Sequence, residues 1–158
     1  MVTQAIVVMG VAGCGKSTVG KSLANALQLP FHDADDYHPE SNIEKMKNGL
    51  PLTDADRWPW LETLSELLDA PVVLACSALK ASYREILSRR GYPRFVFLKI
   101  SPETATQRLR ARAGHFMPSS LIESQFATLE APVDAIVVDA EQQTETELAE
   151  CLRQLGAD

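Results

Sequence analysis

The sequence predicts an α/β fold: a five-stranded parallel sheet flanked by helices, in a single domain spanning residues 1–158. Three observations predict it. Five short apolar runs, mostly of β-branched or aromatic residues, read as buried strands. Between them, apolar residues recur every three or four positions, the spacing of helices with one buried face. The length, 158 residues, suits one ordinary domain with a sizeable core.

The first run is Ala5-Ile6-Val7-Val8-Met9, ended by Gly10. Val19, Leu23 and Leu27 then mark a helix over Lys16–Leu27. Leu29-Pro30-Phe31-His32 reads as a short second strand. Residues 33–57 are polar and punctuated by Pro39, Gly49 and Pro51. They hold a short helix near Ser41–Lys47, and about 36–57 form a small insert rather than a domain. Trp60, Leu61, Leu64, Leu67 and Leu68 share a helical face, and Pro71 stops that helix. Val72–Cys76 is the third strand, and Leu79, Tyr83, Ile86 and Leu87 give another stripe. Phe95–Ile100 is the fourth strand. Ser101 caps the next helix, with Pro102 at its first position and a break at Gly114. Ile122, Phe126 and Leu129 mark a helix that ends before Pro132. Ala135–Asp139 is the fifth strand, and Leu148, Leu152 and Leu155 mark the last helix. Strands alternating with helices make a parallel sheet.

Composition narrows the partners. The net charge of −6 argues against nucleic acid or an anionic membrane as the main partner, though a locally basic pocket can still take a small anion. Cys14, Cys76 and Cys151 form no CxxC pair, as in a reducing compartment. No leader-like start and no apolar run near the roughly 20 residues of a membrane span are seen. A cytoplasmic protein is expected.

The first strand runs into Gly10-Val11-Ala12-Gly13-Cys14-Gly15-Lys16-Ser17, which fits G-x-x-x-x-G-K-[ST], the P-loop. Glycines let the backbone wrap a phosphate chain with its N–H groups turned inward. The helix that follows adds its positive dipole end. Lys16 reaches the β- and γ-phosphates, and the Ser17 hydroxyl ligates Mg²⁺. Gly10, Gly13, Cys14, Gly15, Lys16, Ser17 and Thr18 are thus the expected nucleotide contacts, with Cys14 a small filler rather than a redox group. A chance match in a glycine-rich turn is disfavoured, because strand and helix flank the motif as it requires.

A P-loop alone fits a GTPase, a motor or a kinase. No N-K-x-D base-reading motif is present, and the chain is short for a motor. After the second strand comes Asp33-Ala34-Asp35, whose spacing puts two carboxylates on one side of an extended segment. There Asp33 can hold a Mg²⁺ water, and Asp35 can orient or deprotonate an attacking hydroxyl. The plainer reading is acids in a loop or cap; the P-loop shifts the weight. Arg108 and Arg112 lie four apart on one helical face before Gly114, as on a phosphate-clamping lid over about 110–120. A solvated basic face is the alternative.

These motifs together resemble bacterial gluconokinase. Met9–Ser17, His38-Pro39 with Asn42–Met46, and Pro51–Leu61 carry the resemblance. So do Cys76–Lys80 with Tyr83-Arg84, Gly114–Met117, and Gln125-Phe126 with Leu129-Glu130. They occur in order over nearly the whole chain. The resemblance implies a nucleoside-monophosphate-kinase-like P-loop kinase with a small lid, dependent on ATP and Mg²⁺, acting on D-gluconate at its C6 hydroxyl, and a homodimer. It puts Asp33 and Asp35 on the family's DxD element. By analogy with related small kinases it implies that Arg108 stacks on adenine and that Arg112 meets phosphate, as a catalytic group beside Lys16 and Asp35. One departure stands out: no apolar strand ends in aspartate at the usual Walker B place. The third strand runs into Ala75-Cys76-Ser77, leaving Asp33, with Ser77 as a further candidate, to support Mg²⁺.

Gluconate offers a carboxylate and a row of hydroxyls. His38, Lys45, Arg57, Lys80 and Arg84 are candidates to bind it, Arg57 and Arg84 foremost because a guanidinium grips a carboxylate bidentately. His115 either contacts substrate or caps the lid, and Trp60 belongs to the core. Shikimate, adenylylsulfate or nucleoside monophosphate kinases share the P-loop and lid but not the HPxxNIEKM and CSALK segments. A non-catalytic nucleotide-binding protein would have no need of the full set Lys16, Ser17, Asp33 and Asp35.

Overall fold

The run Ile6–Met9 becomes β1, fully buried at the centre of a five-stranded parallel sheet. The computed structural model describes residues 4–111 and 119–157. The other strands are β2 (Phe31–Asp33), β3 (Val73–Ala75), β4 (Arg94–Lys99) and β5 (Ile136–Asp139), in the order β2-β3-β1-β4-β5. Ile6 lies opposite Val73 on one side and Arg94 on the other. Helices α1 (Lys16–Leu27), α2 (Glu40–Lys47), α3 (Asp54–Leu67), α4 (Ala81–Leu87), α5 (Pro102–Ala111), α6 (Ser119–Thr128) and α7 (Thr144–Leu155) fill the connections, with a 3₁₀ turn at Ala34–Tyr37.

Side chains alternate across a strand, so β1 feeds two cores. Ile6 and Val8 pack with Val19 and Leu23 of α1 and Cys151 of α7. Val7 and Met9 pack with Leu61 and Leu64 of α3 and with Tyr83, Ile86 and Leu87 of α4. A strand buried on both faces needs a continuous apolar run, and this is why β1 shows no polar alternation. The two neighbours of β1 are β3 and β4, so the chain crosses to one edge of the sheet and later to the other. Loops diverge at the C-terminal end of β1, the crevice where open α/β sheets bind ligands.

Most boundaries shift by about a residue from the sequence reading, and two shifts have a clear cause. The second strand starts at Phe31, not Leu29: Pro30 has no N–H, and its carbonyl accepts from Val73 N–H at 2.9 Å, where the ladder begins. Helix α3 starts at Asp54, inside the stretch read as polar insert. Thr53 Oγ1 accepts from Asp56 N–H at 3.1 Å, and Asp56 Oδ2 accepts from Thr53 N–H at 2.8 Å. This reciprocal cap nucleates the helix ahead of Pro59, which the helix then carries in its interior. Ser101 does cap α5, accepting from Thr104 N–H at 3.2 Å. The expected break at Gly114 lies outside the described residues, as does most of the lid, 112–118. Among the described residues no helix is long and apolar enough to cross a membrane.

Candidate active site

The turn from β1 into α1 is shaped for an anion. Gly13 has φ 85°, and a Cβ there would meet Ala105 O at 2.7 Å, so only glycine lets α5 lie against the loop. Gly15, at φ 91°, is the N-cap of α1, and a Cβ there would meet nothing within 4 Å. Among the described residues nothing fills that side, and no side chain caps the helix. The first N–H groups of α1 are therefore left to a ligand. Lys16 Nζ donates to Val11 O at 3.2 Å, within the loop's own curve. The Cys14 thiol is buried against Gly10, and burial raises its pKa, which agrees with a filler.

Ser17 and Asp33 meet across the crevice: Ser17 Oγ donates to Asp33 Oδ2 at 3.0 Å. The other oxygen of Asp33 accepts from Asp35 N–H at 3.0 Å, capping the 3₁₀ turn. The two acids thus do not share one side of an extended segment as the spacing suggested. Asp33 ends the strand, and Asp35 sits in the turn. The cleft around Asp35 desolvates it and Asp33 repels its charge, both raising its pKa, while His38 and Lys16 oppose. Its carboxylate is itself 88% exposed, so water offsets much of the desolvation. The hydroxyl–carboxylate pair of Ser17 and Asp33 suits Mg²⁺, which accepts a few protein oxygens and completes its shell with phosphate and water. Among the described residues no cluster of three or more His, Cys, Asp or Glu is placed to hold a metal.

Beside the loop lies a cavity of about 500 Å³ lined by Gly13, Gly15, Thr18, Arg108, Thr144 and Glu147. Glu147 is 3% exposed, and its Oε1 has no hydrogen-bond partner among the described residues. Burial raises its pKa, with the Arg108 charge opposing.

The crevice's far wall is made of side chains. His38 stacks on Trp60 at 4.2 Å between centroids, and Trp60 Nε1 donates to Ala34 O at 2.8 Å. Asn42 is buried and donates to Asp56 O at 2.9 Å, with its Nδ2 3.3 Å from His38 Nδ1. Burial lowers the His38 pKa; Asp35 opposes this and Arg57 adds to it. Asp54 gathers Tyr83 OH at 2.6 Å, Lys80 Nζ at 3.2 Å and Arg57 Nη1 at 3.9 Å. Hydrogen bonds from Tyr83 and Lys80 lower the Asp54 pKa. Lys45 pairs with Asp56 at 2.8 Å, and that bond leads in holding Asp56 down to about 2.

The expected site residues therefore fall into groups. Lys16, Ser17, Asp33 and Asp35 converge at the end of β1, with Thr18 and Arg108 on the adjoining cavity. His38, Arg57 and Lys80 share the side-chain wall. Arg84 is differently engaged: it donates to Ala78 O at 2.7 Å and to Glu130 O at 2.8 Å. It thereby holds the turn at Ala78, whose φ of 46° is unusual for a residue with a side chain. Arg112 and His115 lie outside the described residues. Sequence reasoning missed Asp54, Glu147 and Gln125 as site residues. For Asp54, the Thr53–Asp56 cap was the available signal.

The sheet order and the anion-ready loop ending in Lys16 and Ser17 define a P-loop kinase. Residues 12–155 match the family described as shikimate kinase. Gluconokinase from Gluconobacter oxydans is 46% identical over 97% of this chain and 92% of its own. Thermosensitive gluconokinase from Escherichia coli is 44% identical over 84% and 74%. The crystal structure of a gluconokinase from Sinorhizobium meliloti superposes with a TM-score of 0.89 at 48% identity, covering 97% of this chain and 91% of that one. Shikimate kinase from Bacteroides thetaiotaomicron, at 20% identity and a TM-score of 0.70, shares the fold. This chain belongs to the gluconokinase family.

Proposed function

We propose that the protein transfers the γ-phosphoryl group of ATP to the C6 hydroxyl of D-gluconate, giving 6-phosphogluconate and ADP. The observation that carries the reading is the convergence of Lys16, Ser17, Asp33 and Asp35 at one crevice, opposite a wall of polar side chains. Loop N–H groups and the α1 N-terminus hold the phosphates, and Lys16 exchanges Val11 O for a phosphate oxygen. Ser17 and Asp33 hold Mg²⁺, which when bound neutralises charge on the β- and γ-phosphates. Asp35 orients the C6 hydroxyl and takes its proton as the O6–P bond forms and the bond from phosphorus to ADP breaks. The Asp33 charge beside it favours that proton uptake.

On the acceptor side, neutral His38 hydrogen-bonds sugar hydroxyls, and Arg57 and Lys80 turn from Asp54 to the gluconate carboxylate. Lys45 and Arg84 are further cations on this side, Lys45 paired with Asp56 and Arg84 bracing the turn. Arg108 stacks on adenine, while Arg112 meets phosphate and His115 the substrate, on a lid over about 110–120. The substrate-binding insert covers about 36–57 of the single domain. A homodimer in the cytoplasm completes the reading, and size-exclusion chromatography tests the dimer.

The functional test is ADP production with ATP, Mg²⁺ and, in turn, gluconate, shikimate, adenylylsulfate, AMP or no acceptor. Turnover with gluconate alone is expected. Asp35→Asn should then lower kcat by about 10²- to 10⁴-fold, the usual contribution of a general base. Turnover with a different acceptor would sink the substrate assignment, and none with any acceptor would sink the kinase reading.

A further inference from the structure

A side chain from far along the sequence holds the loop's backbone. Ala12 N–H donates to Gln125 Oε1, on α6, at 2.6 Å across 113 positions of sequence. The peptide that carries this N–H also carries the Val11 carbonyl, and that carbonyl accepts from Lys16 Nζ at 3.2 Å. A peptide is planar, so fixing its N–H fixes the direction of its C=O. Gln125 therefore sets the direction of the oxygen on which the lysine rests.

The helix that presents Gln125 is itself held. Just past α6, Glu130 N–H donates to Leu79 O at 2.8 Å, and Glu130 Oε1 accepts from Ala81 N–H at 2.6 Å. Arg84 donates to Glu130 O at 2.8 Å. Buried Ile122 and partly buried Phe126 pack the helix on the protein body. Gln125 thus projects from a support anchored to the turn before α4, not from a free surface helix.

We propose that Gln125 is a positioning residue for phosphoryl transfer: it locks the Val11–Ala12 peptide and thereby presets Lys16 for the nucleotide phosphates. Resting on the reading that this loop binds ATP, it adds a residue from the far side of the chain to the nucleotide site. Val11 O also accepts from Cys14 N–H at 3.3 Å, so without Gln125 the peptide keeps only that longer backbone bond and Lys16 is less firmly set before nucleotide binds.

A double-mutant cycle tests this, with calorimetric titration of a non-hydrolysable ATP analogue plus Mg²⁺ into wild type, Gln125→Met, Lys16→Met and the double variant. Gln125→Met keeps the side-chain length and removes the acceptor. It should weaken binding about tenfold, the size of one hydrogen bond to a group that would otherwise be satisfied. With Lys16→Met already present, the same change should cost less than about twofold, because the residue it serves is gone. Gln125→Ala should behave like Gln125→Met, and thermal melting reports whether each variant is folded. Full additivity, or binding by Gln125→Met equal to wild type, would overturn the proposal. No acceptor is present in the titration, so failure to turn over gluconate would count against the substrate reading alone.

Discussion

The two halves of the crevice are built from different material. The half proposed for the nucleotide is backbone: glycines at 13 and 15, N–H groups at the start of α1 that no described side chain caps, and one lysine resting on a carbonyl of its own loop. The half proposed for the acceptor is side chains, each already holding another. Asp54 binds Tyr83 and Lys80, Asp56 binds Lys45, and His38 lies on Trp60. Backbone N–H groups recognise any polyphosphate and cannot be exchanged by substitution. Paired side chains can be altered one at a time. Such a division would let one scaffold keep its phosphate donor while the acceptor changes.

The comparison breaks first at Lys16. Lys16→Met should lower kcat/KM for ATP by about 10³-fold or more, as loss of a donor to transition-state charge does, with little change in the KM for gluconate. A raised gluconate KM with ATP kinetics intact would erase the division between the halves. Lys80→Met probes the other half. Loss of one charge-assisted bond should raise the gluconate KM by about tenfold and leave that for ATP within about twofold. Equal changes in both constants would mean that the acceptor wall also serves the nucleotide.

The smallest effect concerns stability. Burial raises the Glu147 pKa in the folded chain above the ordinary value of 4.5, so folding favours its protonated form. The stability tied to that proton is fully present below about pH 4.5 and is lost as pH rises through the folded value. Glu147→Gln removes the dependence. Its melting temperature should exceed that of wild type by about 2–4 °C at pH 7, the shift of about 1 kcal/mol for a chain of this size. The difference should vanish near pH 4. A gain that persisted at low pH would assign the effect to packing instead.

What could be read from the sequence follows the same division. A P-loop is contiguous, because its glycines and lysine act within one turn, and the strand and helix around it have their own periodicity. Five strands and their parallel arrangement were likewise legible, since burial on both faces forces unbroken apolar runs. The acceptor wall was legible only as scattered cations. Lys80 and Asp54 are 26 positions apart and meet because α3 and α4 pack side by side. Asp33 and Asp35 were singled out, but their relation was misread: alternation holds only in a strand, and the chain turns at Ala34. Gln125 stood out only as part of the family resemblance, with no role attached, as a glutamine on a helix is ordinary until the fold delivers the N–H it accepts from.

The three cysteines have a practical bearing. Cys14, Cys76 and Cys151 are all buried, and burial pushes the last two up to about 12, so none presents a thiolate to solvent at neutral pH. Maleimides and other thiol-directed dyes should therefore react only slowly with the native cysteines. A single cysteine introduced at an exposed position such as Glu123 on α6 would take a fluorophore without first stripping the native ones. The helix that carries Gln125 is thus open to optical observation while the loop it touches binds and releases its ligands.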